Sequence, residues 1–274
     1  MKRLLLAASA LLAGAAISSA ANAAWVVSYE GEAPGVQNTT ATFTVGGVET
    51  FNSDPVHAYP STLTTSFGTS GPGSTISGVY SSQGKGIQIN SADQYGGAGG
   101  TGNYIVAFPN TPYSLKLSTD VAGGVNYFGY WLSALDPGNR VTFSDANNHT
   151  LFTFDPQDVI NAIKTSTTSS SYYGNPPGNF IGQDGGEPFV FVNFFDTTGS
   201  FGKVSFSEVN YGGGYESDNH TVGHYLTMGQ GTTVPLKLSS SAPEPESWTL
   251  MILGVGAVGA VLRRRRQAAM AVTA

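Results

Sequence analysis

The sequence predicts an all-β protein: an antiparallel β-sandwich, jelly-roll-like, with one short helix. Two observations indicate this class, one of composition and one of residue pattern. Glycine occurs 36 times, and 15 phenylalanine and 13 tyrosine residues favour strands over helices. Short runs of alternating or β-branched residues recur between clusters of turn-forming residues. The chain has no cysteine, which excludes both a disulfide framework and a thiol nucleophile.

Ten runs are predicted as strands because apolar, aromatic and β-branched residues alternate in them. They begin at Trp25, Thr40, Gly86, Asn103, Tyr113, Asn126, Arg140, Thr150, Pro188 and Gly202. Turn clusters at 136–139 and 145–148 separate some of them. The glycine-rich stretches 68–78 and 94–103 are predicted as surface loops.

One helix is predicted within DPQDVINAIK. Asp155 is placed as its N-cap and Pro156 at its first helical position, where proline is favoured. Val159, Ile160 and Ile163 then form its apolar face.

The first 23 residues have the order of a secretory signal peptide. Lys2 and Arg3 precede an apolar run, which ends before a small-residue site at Ala21 and Ala23. Cleavage by signal peptidase is expected before Ala24, so the protein is exported.

Residues 24–241 are predicted as one surface domain. Six Lys and Arg residues against sixteen Asp and Glu residues give this body a net charge of about −10. Because an acidic body repels phosphate backbones, nucleic acid is excluded as a partner.

The C-terminal stretch joins a proline pair to an apolar run and a basic cluster. Residues 248–262 are uncharged and would form a helix about 22 Å long, against roughly 30 Å for a bilayer core. The basic cluster, Arg263, Arg264, Arg265 and Arg266, stays in the cytoplasm with residues 267–274 by the positive-inside rule. A single transmembrane helix over 248–262 is therefore predicted to hold the precursor in the inner membrane.

Residues 242–266 closely resemble the PEP-CTERM sorting signal, in its PEPxxWA variant. The resemblance lies in Pro243, Glu244, Pro245 and Trp248, followed by the short helix and the arginines. Thr249 stands where the variant has alanine, and the tail after the arginines is longer. The resemblance implies recognition by exosortase, a membrane-embedded cysteine transpeptidase of Gram-negative bacteria that also make exopolysaccharide. It further implies processing at the motif and delivery to the cell surface.

A calcium site is the one metal hypothesis that the sequence offers. Glu216, Asp218 and Asn219 in YESDNH supply oxygen ligands of the kind calcium takes, and Asp136 and Asp145 join them only if the fold brings them close. The alternative is an ordinary polar turn.

Two further patterns are weaker. His220 and His224 are four residues apart, a spacing that suits zinc on a helix or a strand, but two surface imidazoles are the simpler interpretation. GVGAVG at 254–259 spells a dinucleotide fingerprint, yet arginines follow it and no acidic residue comes about 20 positions on.

Two binding or catalytic hypotheses concern the body. The carboxylates Asp136, Glu208, Glu216 and Asp218 are candidates for a secreted glycosidase, although no spacing singles out a pair. The aromatic residues of NYFGYWLS either line a sugar-binding face or pack in the core, and core packing is the default.

The sequence therefore predicts an exported, exosortase-sorted cell-surface or matrix protein with a structural or adhesive role. It predicts no enzymatic activity and no cofactor, with calcium as the exception. The alternative function is a carbohydrate- or calcium-binding module associated with exopolysaccharide.

Overall fold

The computed structural model describes residues 25–31, 35–69, 71–82, 84–175, 178–209 and 212–236. Its helix, α1, spans Gln157–Thr165, and two short 3-10 helices span Ala98–Gly100 and Ser169–Tyr172. The strands are β1 (Trp25–Tyr29), β2 (Thr42–Glu49), β3 (Thr62–Thr69), β4 (Thr75–Ser82), β5 (Gln88–Ser91), β6 (Asn103–Ala107), β7 (Tyr113–Thr119), β8 (Tyr127–Leu132), β9 (Asn139–Ser144), β10 (Thr150–Phe154), β11 (Val190–Asp196), β12 (Lys203–Glu208), β13 (Tyr215–Thr227) and β14 (Thr232–Thr233).

The strands form two antiparallel sheets. Sheet A has the order β14-β1-β11-β8-β13-β6-β5, with β2 also paired to β13, and sheet B has the order β10-β9-β12-β7-β4-β3. The predicted sandwich-like, mostly β architecture is thus confirmed, whereas its jelly-roll connectivity stays a prediction. Strand β13 is long enough to pair with β8 on one side and with both β6 and β2 on the other.

Aromatic rings fill the space between the sheets. Phe128 and Tyr130 of β8 contact Phe206 of sheet B at ring-centroid distances of 5.7 and 6.2 Å. His220 of β13 stacks on Phe206 at 5.1 Å with an interplanar angle of 17°. Alternate residues of a strand point to opposite faces, so these positions form the inner face of sheet A.

The outer face of sheet A is covered as well. Trp131 of β8 packs against Ala98, Ala134, Phe189 and Phe191, which come from neighbouring loops and from β11. All six residues of β8 are buried. The aromatic side chains of NYFGYWLS are therefore core residues, as the default interpretation held, and they do not form an exposed sugar-binding face.

Strands β3, β4 and β13 were not among the predicted runs. β4 contains serine and glycine, which favour strands poorly, and it forms because it pairs with β3 on one side and β7 on the other. Its residues Ile76 and Tyr80 are fully buried on one face. The loop predicted over 68–78 therefore overlaps strand structure at both ends.

The predicted helix is present, but its predicted N-cap is wrong. Helix α1 begins at Gln157 with Pro156 in the N-cap position, and no side chain caps it. The Asp155 carboxylate instead accepts two hydrogen bonds from the Arg140 guanidinium, at 2.7 and 2.9 Å. The apolar face of Val159, Ile160 and Ile163 is buried as predicted.

Both predicted terminal segments lie outside the described residues: the signal peptide at 1–23 and the membrane helix at 248–262. Within the described ranges, no helix has the length and apolar character to cross a membrane.

Candidate functional site

Strand β13 carries the three residues of the predicted calcium site, and their side chains make different contacts. Glu216 and Asp218 alternate on the strand, so both face the outer side of sheet A. The Asp218 carboxylate accepts hydrogen bonds from the backbone N–H of Ala98 at 2.8 Å and of Asn219 at 2.6 Å. The Asn219 amide donates to the carbonyl oxygen of Gln37 at 2.7 Å. Asp218 and Asn219 thus hold two neighbouring loops in place.

Asn219 lies at an irregularity in the strand. The register between β13 and β8 shifts between Asp218 and Thr221, and Asn219 has a φ of 49°. A β-bulge of this kind re-aims the side chains beside it. YESDNH is accordingly part of a bulged strand, and the polar-turn interpretation of it is wrong.

Glu216 belongs to a group of acidic side chains that the sequence does not place together. We call Asp93, Asp136, Asp184, Glu187, Glu208 and Glu216 the carboxyl cluster. The Glu187 carboxyl is hydrogen-bonded to the carboxyls of both Asp136 and Asp184. Two carboxyl groups can bond to one another only through a shared proton, so these contacts favour the protonated form of Glu187 and raise its pKa.

Burial is the main cause of the raised pKa values of Glu187, Glu208 and Glu216. It raises the pKa of Glu216 to about 8, and the charges of Asp93, Glu187 and Asp136 add to the shift. Burial followed by the charges of Asp136 and Asp184 raises the pKa of Glu187 to about 7. The pKa of Asp218, which is next to the cluster, also rises to about 7 through burial.

Three buried oxygen atoms in or beside the carboxyl cluster have no hydrogen-bond partner among the described residues: Oγ of Ser133, Oδ2 of Asp184 and Oε1 of Glu208. Ser133 lies across from Glu216, since its N–H donates to the Glu216 carbonyl oxygen at 3.3 Å. The other oxygen of Glu208 accepts a hydrogen bond from the Asn139 amide at 2.6 Å. Burial raises the pKa of Glu208 to about 7.

The glycosidase candidates are only partly brought together. Asp136 lies close enough to Glu208 and Glu216 for its charge to raise the pKa of both carboxyls. The exposed fractions are 5% for Glu208, 9% for Glu216 and 3% for Asp218. A glycosidase needs its carboxyl pair on the two sides of an open cleft.

Asp145, the other turn residue considered for calcium, instead binds the ring of His149 at 2.9 Å.

No three His, Cys, Asp or Glu side chains of the described ranges are arranged to hold a metal ion directly. Within the cluster, Glu187 contacts the carboxyls of Asp136 and Asp184, and calcium stays a prediction.

The two histidines do not form a pair. His220 is fully buried, and its ring nitrogens contact the Tyr80 hydroxyl and the Ser217 hydroxyl, each at 3.0 Å. His224 contacts the carbonyl oxygen of Gly124 through Nδ1 at 2.8 Å. The prediction of two surface imidazoles is therefore wrong for His220, whose pKa burial lowers to about 3.

A second feature is an open groove at the β5 edge of sheet A, with a volume of about 560 Å³. We call it the edge groove, and its main side chains are Tyr59, Lys85, Gln88, Phe108, Asn110 and Thr111. These residues come from three loops and the start of β5. No sequence pattern links them, so sequence reasoning missed them.

Comparison with known proteins identifies the C-terminal stretch. A family model of the PEP-CTERM protein-sorting motif matches residues 241–266, which confirms the resemblance seen in the sequence. No curated protein matches the chain. A solved structure, the K2 cleaved adhesin domain of Lys-gingipain, is similar at 17% identity with a TM-score of 0.37, covering 67% of this chain and 98% of that domain. This similarity is too low to support a functional assignment.

Proposed function

We propose that the chain is an exported precursor and that exosortase processes it at its C-terminal motif. The processed protein then has a structural or adhesive role at the cell surface or in the matrix. The observation that carries this proposal is the sorting motif at residues 241–266. In this proposal, signal peptidase removes residues 1–23 and the helix at 248–262 holds the precursor in the inner membrane. The β domain binds its surroundings and performs no catalysis.

The character of the body supports a role outside the cell. It is free of cysteine and acidic, so it folds without disulfide chemistry and remains soluble through its net charge. Two packed sheets with an aromatic core bury a sizeable apolar surface, which stabilises the fold. Association with exopolysaccharide is part of the proposal.

Replacing Pro243, Glu244 and Pro245 by alanine is expected to block processing and leave the protein in the inner membrane. The replacement removes the motif and leaves the apolar helix and the arginines intact. Cell fractionation, followed by detection of residues 24–241 in each fraction, measures where the protein is located. A matched control replaces Pro235, which precedes the motif and lies outside it, and should leave delivery unchanged. Normal surface delivery of the triple variant would contradict the proposal.

We propose calcium binding by the β domain as a second candidate, because the carboxyl cluster has no cationic partner in the described part of the chain. Calcium would displace the protons that Glu187 shares with Asp136 and Asp184, and Glu216 would supply a further oxygen. Asp218 and Asn219 would then position the strand beside the ion.

Calcium at about 1 mM, the range of extracellular modules, is expected to raise the melting temperature at pH 8 by a few degrees. The double variant Asp136→Asn with Glu187→Gln should lose this response. Magnesium serves as the control ion, since it accepts such flexible sites poorly. A melting temperature that calcium leaves unchanged would exclude the second candidate.

A further inference from the structure

The edge groove combines exposed aromatic rings with polar side chains. Tyr59 is 44% exposed and Phe108 is 36% exposed, and both rings line the same cavity of about 560 Å³. Gln88 and Asn110 contribute amides, and Lys85 contributes a positive charge. A volume of 300 to 1,000 Å³ with apolar walls and a few oriented polar groups is usual for a small-ligand site.

The backbone holds both rings in place. Tyr59 has a φ of 47°, a left-handed conformation that is unfavourable for a residue with a side chain. Gly86 makes room for it, since a Cβ at this position would collide with the Tyr59 carbonyl oxygen. On the other side of the groove, Thr111 fixes the turn that carries Phe108: its hydroxyl accepts a hydrogen bond from the Phe108 N–H at 3.0 Å. A backbone that is already fixed in this way loses little entropy when a ligand binds.

The position in the sheet leaves room for an extended ligand. β5 is the last strand of sheet A, and its outer side is bordered by the segment containing Tyr59. This segment is attached by hydrogen bonds from His57 N–H to the Ile89 carbonyl oxygen at 3.0 Å and from Ile87 N–H to the Pro60 carbonyl oxygen at 2.8 Å. The groove is open to solvent at this edge.

The charge of the groove differs from that of the body. Lys85 has no ion-pair partner in the described part of the chain, although the body is strongly acidic. Among the residues that line the groove, Lys85 carries the one charged side chain. Exposed charges more than roughly 8 Å away are largely screened at physiological ionic strength. An anionic group carried by the ligand would complete the site.

We propose that the edge groove binds a segment of a uronic acid-containing polysaccharide. The flat apolar faces of pyranose rings stack on Tyr59 and Phe108, the amides of Gln88 and Asn110 bond the hydroxyl groups, and Lys85 pairs with a uronate carboxylate. The inference rests on the proposed function only in that export brings the groove to polysaccharide outside the cell.

The test is calorimetric titration of the purified full-length protein with hexamers of galacturonate and of mannuronate, and with cellohexaose as the neutral counterpart. We expect binding of at least one uronate hexamer, weakened about tenfold or more by Tyr59→Ala and by Phe108→Ala. Lys85→Gln should weaken uronate binding severalfold and reduce its salt dependence. Tyr95→Ala, an equally exposed tyrosine outside the groove, should bind as the unaltered protein does.

A second variant separates binding from folding. Tyr59→Gly removes the ring and relieves the positive φ, so this variant is expected to fold at least as stably and still lose binding. Tyr59→Phe keeps the stacking ring and should retain most of the affinity. The proposal is overturned if neither uronate hexamer binds, or if the Tyr59 and Phe108 variants bind as the unaltered protein does. It is also overturned if cellohexaose binds equally well and Lys85→Gln does not affect that binding. Because binding in solution does not require exosortase, this failure is distinct from a failure of sorting.

Discussion

Replacing His220 by alanine is expected to lower the free energy of unfolding by about 4 kcal/mol. The ring is fully buried and stacks on Phe206 at 5.1 Å, so its removal leaves a cavity between the sheets. The hydroxyls of Tyr80 and Ser217 also lose a partner that each contacts at 3.0 Å. Chemical denaturation measures the change.

His149→Ala is the matched control, since this side chain is 77% exposed. It should change the free energy of unfolding by less than about 0.5 kcal/mol. If His220→Ala changed the free energy of unfolding no more than His149→Ala, the packing of His220 would not stabilise the core.

The free energy of unfolding is expected to fall by about 2 kcal/mol as the pH rises from 6.5 to 8. The pKa values of Glu187, Glu208 and Asp218 are raised to about 7 and that of Glu216 to about 8. A carboxyl whose pKa is raised by folding stabilises the folded state below its unfolded pKa, and this stability is lost as the pH rises through the folded value. His220 has the opposite sign: its lowered pKa costs stability only as the pH falls below 6.5. The window from 6.5 to 8 therefore reports on the carboxyls.

Thermal melting or denaturation across this window, without added calcium, measures the slope. Glu216→Gln keeps the size of the side chain and removes its ionisation, so it should flatten the slope and raise stability at pH 8. Asp120→Asn is the control, because backbone hydrogen bonds from Thr75 and Gly73 lower the pKa of Asp120 and it does not titrate there. Stability that is flat or rising between pH 6.5 and 8 would show that the cluster is not protonated.

The sequence predicted the strands that carry large alternating side chains, such as β8 and β12. It missed β4 and β13, because their pairing depends on partners distant in the chain. His224 of β13 pairs with Val45 of β2, and Ser77 of β4 pairs with Ser118 of β7. The N-cap of α1 was missed for a similar reason: the Asp155 carboxylate accepts a hydrogen bond from the Arg140 guanidinium and does not cap the helix.

The candidate sites were less predictable than the strands. Glu216 was identified, but the carboxyls of Asp184 and Glu187 reach its surroundings from a separate segment and carry no local signal. The edge groove depends on where three loops meet, and only the fold determines that. The sorting motif was predictable because it is one continuous stretch, residues 241–266.

Exosortase is proposed to remove the C-terminal segment during export. The most direct test is the intact mass of the exported protein, measured from cells that contain exosortase and from cells that lack it. We expect that only cells with exosortase yield a protein without Arg263, Arg264, Arg265 and Arg266, cut at the motif. A protein that keeps these arginines in both kinds of cell would rule out processing by exosortase.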